Sequence, residues 1–150
     1  MNYRIGTKQD IPVMCQIRKQ QLIDEGINPE NIIDKELFYY FEKKISDGSL
    51  VEWLLEENGK VIATAAILFI EFPPTYTNQS GVKGYITNMY TNPVYRGKGI
   101  ASIMLGKLTD EARKRCVKHI WLHASNLGKP VYERFGFTEA DKYMELKLDL

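Results

Sequence analysis

The segment 85–101 contains the residues whose order most directly suggests chemistry. A strand-like run, 85–91, is followed by a turn at Asn92-Pro93, then by Arg96-Gly97-Lys98-Gly99, after which a helical pattern begins. Such a turn directs several backbone N–H groups toward one point, where the helix dipole adds partial positive charge and glycine lets a ligand approach closely. We therefore expect a cradle for a phosphate or pyrophosphate, with added positive charge from the side chains of Arg96 and Lys98.

Two common nucleotide-binding motifs do not fit this turn. A P-loop requires Gly-x-x-x-x-Gly-Lys-Ser/Thr, but Asn92 stands five residues before Gly97, and Gly99 follows Lys98. A dinucleotide fingerprint requires a third glycine, where Ser102 stands, and an acidic residue at the end of the next strand, where the sequence reads Leu122-His123-Ala124. A glycine turn that binds no ligand stays open at this point.

The elements that position the turn follow from the spacing of apolar residues. We expect strands at 3–5, 50–57, 60–72, 85–91, 120–124 and 143–148, with a hairpin turn at Asn58-Gly59. We expect helices that start near Thr7, Pro29, Gly99 and Lys129. The order β-α-α-β-β-β-α-β-α-β indicates an α/β (α+β) fold, one domain over residues 1–150, with a mixed, mostly antiparallel sheet and helices on both faces.

The composition excludes several classes of protein. The 150 residues are 44% hydrophobic and 26% charged with a formal net charge of +1, which disfavours both disorder and nucleic-acid binding. The longest apolar run, 61–70, is too short to cross a membrane, and the N-terminus has no signal-peptide stretch. Two cysteines without CxxC spacing and two histidines without further ligands predict no disulfide framework and no metal site. We expect a cytoplasmic protein.

A second segment makes the interpretation specific. After the strand at 120–124 come Asn126 and then the run Tyr132-Glu133-Arg134-Phe135-Gly136-Phe137. This run resembles the second signature of the GNAT superfamily of acyl-CoA-dependent N-acetyltransferases, and Arg96-x-x-Gly99-x-Ala101 resembles its first, Gln/Arg-x-x-Gly-x-Gly/Ala. The order, the spacing and the sequence of elements fit that family over essentially the whole chain. Gly128-Lys129-Pro130 departs from it, because the family often begins this short helix with alanine.

The resemblance implies acetyl-CoA as cosubstrate, with no metal. Backbone N–H groups of the turn would bind the coenzyme A pyrophosphate, contributed by Arg96, Gly97, Lys98, Gly99, Ile100 and Ala101. The strand end at Met89, Tyr90 and Thr91 would splay from the strand at 120–124 and admit the pantetheine arm, which Asn126 would contact. A backbone N–H near Met89 or Tyr90 would polarise the thioester carbonyl, and Tyr132 would sit beside the sulfur and protonate the departing thiolate.

The acceptor side is open to more interpretations. Glu71 is a candidate base acting through water, and Asp24 and Glu25 are candidates for binding a cationic amine, although each of the three also fits a solvated surface carboxylate. His123 is a further candidate base, against the simpler interpretation of a strand histidine. Cys116 is expected to lie far from the strand gap, which favours direct transfer over an acyl-enzyme.

The function class that follows is acetyl transfer from acetyl-CoA to a primary amine in a ternary complex. The acceptor is a small-molecule amine, a peptide N-terminus or a lysine. The alternatives are a non-catalytic acyl-CoA sensor and a nucleotide-binding regulatory domain. The loop 73–84 covers the site or touches a partner subunit, so a homodimer is an open alternative.

Overall fold

The sheet and its helices follow the order expected from the sequence. A computed structural model describes residues 1–140 and 142–150. Within them the elements are β1 (Asn2–Ile5), α1 (Ile11–Asp24), α2 (Asp34–Ser46), β2 (Leu50–Glu57), β3 (Lys60–Glu71), β4 (Val82–Thr91), α3 (Ile100–Lys114), β5 (Ile120–Trp121) and α4 (Lys129–Phe135). The five strands form one sheet in the order β1-β2-β3-β4-β5, antiparallel except for the parallel pair β4–β5. The expected fold class is confirmed.

Helices cover both faces of the sheet. On one face Ile11 and Met14 of α1 and Phe41 of α2 pack against Leu50 and Leu54 of β2. On the other face α3 buries the four residues expected from its spacing, which are Ile100, Met104, Leu108 and Ala112. Leu105 is buried with them. Of the described helices, none has both the length and the apolarity needed to cross a membrane.

The central hairpin forms where the sequence predicts it. Asn58 and Gly59 both have positive φ, 52° and 76°, which is the conformation of a type I′ turn and explains the preference for Asn-Gly there. β2 has the predicted bounds and β3 ends one residue earlier than predicted. The hairpin fixes the register of the strand that carries the site, because β4 pairs along nearly the whole of β3.

Several predicted elements differ from the structure. β4 begins at Val82 rather than at 85, and β5 covers Ile120–Trp121 rather than 120–124. α2 begins at Asp34 rather than at Pro29: its first helical bond runs from Leu37 N–H to the Ile33 carbonyl, and the preceding residue Ile32 is exposed. The predicted last strand, 143–148, is absent from residues 142–150, which contain neither helix nor strand. An alternating pattern indicates which side of a strand would be buried, but a strand also needs backbone hydrogen bonds to a neighbouring strand. The neighbouring β5 is regular over two residues only.

Candidate active site

The cleft of the molecule opens where β4 and β5 part. Their parallel pairing covers Gly84 with Ile120 and Tyr85 with Trp121, and the two segments diverge beyond that point. A cavity of about 840 Å³ lies in the gap. Its walls come from α1, the second half of β4, the start of α3 and the segment from 122 into α4. This arrangement leaves one edge of β4 without a neighbouring strand, so its backbone groups face the cavity.

A β-bulge determines which backbone groups of β4 face the cavity. β3 pairs Thr64 with Tyr90 and Ala66 with Thr87, so that Asn88 and Met89 together lie opposite a single residue. Asn88 has a φ of 54°. On the C-terminal side, Asn92 donates its N–H to the Ile62 carbonyl at 2.8 Å, so the alternation of an antiparallel ladder turns Tyr90 toward β3 and Met89 toward the gap. Of the two candidates, Met89 therefore presents its N–H to the cavity.

The glycine turn forms the second wall. Gly97 and Gly99 have φ values of 78° and 79°, a conformation that glycine adopts without strain. Both line the cavity, and a Cβ added to either would meet no atom within 4 Å, so the space in front of the turn is open. The first helical bond of α3 is donated by Ile103 to the Gly99 carbonyl. The N–H groups of Ile100 and Ala101 precede that bond and are free to bind a ligand.

The positive side chains of the turn are engaged by other residues of the protein, although Arg96 also lines the cavity. Arg96 donates Nε–H to the Thr91 carbonyl at 2.9 Å and places its Nη2 3.6 Å from Asp24 Oδ2, which ties the end of β4 to the end of α1. The Lys98 ammonium lies over the Tyr95 ring, and Lys98 is not among the cavity-lining residues. The cradle therefore consists mainly of backbone N–H groups, with less side-chain charge than the sequence predicts.

Tyr132 stands at the junction of the cavity walls. It is buried among the residues under α3 and also lines the cavity. Burial, followed by the nearby Glu25 and Tyr85, raises the pKa of Tyr132 to about 12, so its hydroxyl keeps its proton at neutral pH. Gly128 explains the departure noted in the short helix: a Cβ there would lie 2.7 Å from Tyr132 Cε2 and 3.1 Å from its hydroxyl. The absence of a side chain at Gly128 makes room for the ring.

A polar row on α1 faces Tyr132 across the cavity. Arg18 donates Nη1–H to Gln21 Oε1 at 3.1 Å, and Gln21 donates Nε2–H to Glu25 Oε1 at 3.2 Å. Sequence reasoning found Glu25 but missed Arg18 and the buried Gln21. The i, i+3, i+7 spacing of three polar residues was the available signal, because it places them on one helix face.

The remaining predicted residues divide into those at the cavity and those away from it. Asn126, His123 and Thr91 line it, and His123 is surrounded by the rings of Tyr85, Trp121 and Tyr143. Glu71 does not: it pairs with Val82 at the far end of β3, nine positions along β4 from Thr91. Neither Cys15 nor Cys116 is among the lining residues.

Comparisons with known proteins agree on one family. The model of the acetyltransferase (GNAT) family matches residues 16–137. The crystal structure of a predicted acetyltransferase with acetyl-CoA from Clostridium acetobutylicum is 56% identical, with a TM-score of 0.96 and coverage of 97% of this chain and 95% of that one. A GCN5-related N-acetyltransferase from Ralstonia eutropha JMP134 is 24% identical, with a TM-score of 0.89 and coverage of 97% of both chains, and shares the fold.

Two curated relatives match over shorter stretches. Glucosamine 6-phosphate N-acetyltransferase from Trypanosoma brucei brucei is 25% identical over 93 residues, which are 62% of this chain and 61% of that protein. The [ribosomal protein bS18]-alanine N-acetyltransferase from Haemophilus influenzae is 36% identical over 56 residues, 36% of this chain and 38% of that protein. The matches thus span less than two thirds of the length of either relative.

Proposed function

The chain belongs to the GNAT family of acetyltransferases, and on that premise we propose that it transfers the acetyl group of acetyl-CoA to a primary amine by direct attack in a ternary complex. We propose further that residues 1–150 act as a single N-acetyltransferase domain. The observation that carries the proposal is the convergence on one cavity of the unpaired edge of β4, the glycine turn and Tyr132. The neighbour from Clostridium acetobutylicum, whose structure contains acetyl-CoA, supports the choice of cosubstrate.

The turn is the proposed site for the pyrophosphate of coenzyme A. Its open space, its unpaired N–H groups and the N-terminus of a 15-residue helix suit a dianionic ligand better than any neutral one. The exposed edge of β4, from Met89 to Thr91, would pair with the amide groups of the pantetheine arm. Asn126 would contact the same arm from the opposite wall, and Arg134, which also lines the cavity, would lie near the remaining phosphate.

Acetyl-CoA supplies an activated acyl group and a thiolate leaving group. In our proposal the Met89 N–H binds the oxygen on which negative charge develops as the amine attacks. Tyr132 donates a hydrogen bond to the departing sulfur. Because its pKa of about 12 lies above that of a thiol, near 8.5, complete proton transfer is uphill, and the benefit is a placed donor in a site drier than water.

The acceptor amine is proposed to bind between α1 and Tyr132. Asp24 is occupied by Arg96, whereas Glu25 forms no salt bridge among the described residues and lies close enough to Tyr132 to influence its pKa. Glu25 is therefore the carboxylate best placed to attract a protonated amine and to accept its proton through water. Glu71 drops out of this role because of its distance along the strand.

The chemical class of the acceptor is narrowed by Arg18. Its guanidinium lines the same cavity and forms no salt bridge within residues 1–140 and 142–150. Both Arg18 and Glu25 bond to the side-chain amide of Gln21, so the guanidinium and the carboxylate lie close together on one wall of the cavity. A small amine that also carries an anionic group fits two opposite charges placed in this way, as in the amino sugar phosphate named for the trypanosomal relative.

A panel of primary amines tests the proposed function. Thiol release and acetylated product are measured for matched amines with and without a carboxylate or phosphate, and for peptides with a free N-terminus or lysine. We expect turnover, with Glu25→Gln raising KM for amines generally and Arg18→Gln raising it only for the anionic ones. Tight coenzyme A binding without turnover on any amine would favour the acyl-CoA sensor instead.

A further inference from the structure

We propose that Glu52 is a positioning residue for the reaction: it holds Asn88, and through Asn88 the bulge that turns the Met89 N–H into the cavity. The inference rests on the proposed function, since it assigns the oxyanion donor to Met89. Glu52 is on β2, two strands away from the cleft, and it is not among the cavity-lining residues. Nothing in the reaction described above uses it directly.

Asn88 is held at both ends by the neighbouring strands. Its side chain donates Nδ2–H to Glu52 Oε1 at 2.8 Å, across β3. Its carbonyl accepts a hydrogen bond from Thr64 Oγ1, also at 2.8 Å. Glu52 is 2% exposed and Asn88 5% exposed, so neither bond competes with water. Ala66, which lies between Glu52 and β4 in the register, is small enough to let the two side chains meet.

These contacts hold the residue that creates the bulge. A φ of 54° is uncommon for any residue with a side chain, although asparagine tolerates it better than most. The extra residue reverses the alternation of β4. On the N-terminal side Gly84 donates its N–H to the His119 carbonyl, so Ile86 faces the gap and Thr87 faces β3. Without the bulge, the next position to face the gap would be Asn88, and the Met89 N–H would be turned toward β3.

Burying a carboxylate at this position is energetically unfavourable. The other residues that pack here from α1, α2 and β2 are mostly apolar, and a leucine on β2 would fit their pattern. A carboxylate–amide pair differs from apolar packing because it is directional and therefore specifies one register of β4. The pair therefore serves the position of the bulge rather than stability.

The protonation state of Glu52 offers a specific readout. The groups around it are Arg18 and Cys15 on α1, Asp10 before α1, Tyr40 on α2 and Asn88. Burial raises the pKa of Glu52 to about 7, against the opposing effects of Asn88 and Arg18. The carboxylate accepts a stronger hydrogen bond than the neutral acid. The advantage of the native residue over a glutamine should therefore grow as pH rises through about 7.

The test compares Glu52→Leu with Glu52→Gln, which retains an acceptor for Asn88. Loss of one oxyanion donor lowers kcat by roughly 10²–10³-fold in enzymes, so a displaced donor should cost about 10–100-fold. We expect Glu52→Leu to lose that factor in kcat and Glu52→Gln to recover most of it. The ratio of native to Glu52→Gln kcat should rise between pH 6 and 8, on the order of one unit either side of that pKa. A folded Glu52→Leu protein with kcat within about twofold of native would overturn the proposal.

A second measurement does not depend on turnover. The backbone amide resonances of Asn88 and Met89 report the bulge directly, through the coupling constant that follows φ. We expect Glu52→Leu to lose the positive φ of Asn88 and to abolish the shift of the Met89 amide on addition of acetyl-CoA. If both signals match those of the native protein, Glu52 does not position the bulge, whether or not an acceptor amine has been found. Absence of turnover in the native protein would instead count against the proposed function.

Discussion

Replacing Ala101 by glutamate should weaken coenzyme A binding while leaving the fold at least as stable. Ala101 is half-buried in the first turn of α3 and lines the cavity beside the glycine turn. A carboxylate at this position interacts favourably with the helix N-terminus, by about 0.3–1 kcal/mol. The same carboxylate occupies the region proposed for the pyrophosphate. The substitution should therefore stabilise the folded protein and weaken coenzyme A binding. A general disruption of the structure would lower both.

The size of the binding defect follows from charge and distance. At about 5 Å, two unit charges interact by about 3 kcal/mol for an effective dielectric constant of 20, and by about 1 kcal/mol in water. The cleft is open to solvent, so a total near 2 kcal/mol is reasonable for the pyrophosphate, or about 30-fold in Kd. Glutamate at Gly97 or Gly99 is a less informative test, because a side chain at φ near 80° strains the backbone by itself.

The assay is calorimetric titration with coenzyme A, paired with thermal unfolding. Ala101→Gln is the matched control, since it has the same size without the charge. We expect about 30-fold weaker binding for glutamate than for glutamine, and a difference that shrinks as salt is raised. Equal affinity of the two variants, at low salt and with both folded, would show that no phosphate lies at the start of α3.

Three further outcomes are expected. Tyr132→Phe should lower kcat about 10- to 1,000-fold with little change in coenzyme A affinity or Tm, and steady-state kinetics within twofold of native would leave Tyr132 a packing residue. A Cβ at Gly128 would lie only 2.7 Å from Tyr132 Cε2, so Gly128→Ala should displace the Tyr132 ring and lower kcat about 10-fold. The effect should be much smaller when Tyr132 is already phenylalanine, and additive losses in this double-mutant cycle would contradict the contact. Because the folded-state pKa of Glu52 is raised from 4.5 to about 7, its contribution to stability is present below pH 4.5 and is lost as pH rises to about 7. The free energy of unfolding of the native protein should therefore fall relative to that of Glu52→Gln across that window, by up to about 1.4 kcal/mol per pH unit. Denaturation measured at several pH values checks this, and a constant difference between the two proteins would refute it.

The sequence predicts the scaffold well where local signals are strong. Asn58-Gly59 predicts the hairpin because the turn depends on two adjacent residues only. The spacing of Ile100, Met104 and Leu108 predicts the buried face of α3 because it follows the period of a helix. The strand expected at 143–148 fails for a different reason. Its alternation is typical of a strand, but a strand also needs backbone hydrogen bonds to a neighbouring strand. The neighbouring strand, β5, is regular over two residues only.

Within the candidate site, too, local motifs are predictable from the sequence and contacts between distant segments are not. The glycine turn and Tyr132 are found from their motifs, and their convergence on one cavity follows from the parting of β4 and β5. The bulge at Asn88 cannot be read from the sequence, since it depends on a register shift between two strands and on a carboxylate from a third. The contact between Arg96 and Asp24, which both line the cavity, also depends on residues distant in sequence and could not be predicted.

The most direct measurement is product analysis with acetyl-CoA labelled in the acetyl group. The protein is incubated with the amine panel, and mass spectrometry follows the label. Acetyl transfer predicts labelled N-acetyl product in equal amount to the free coenzyme A released, at a rate that Tyr132→Phe lowers at saturating acetyl-CoA. Binding of acetyl-CoA with the label remaining on the thioester, for every amine tested, would contradict the account.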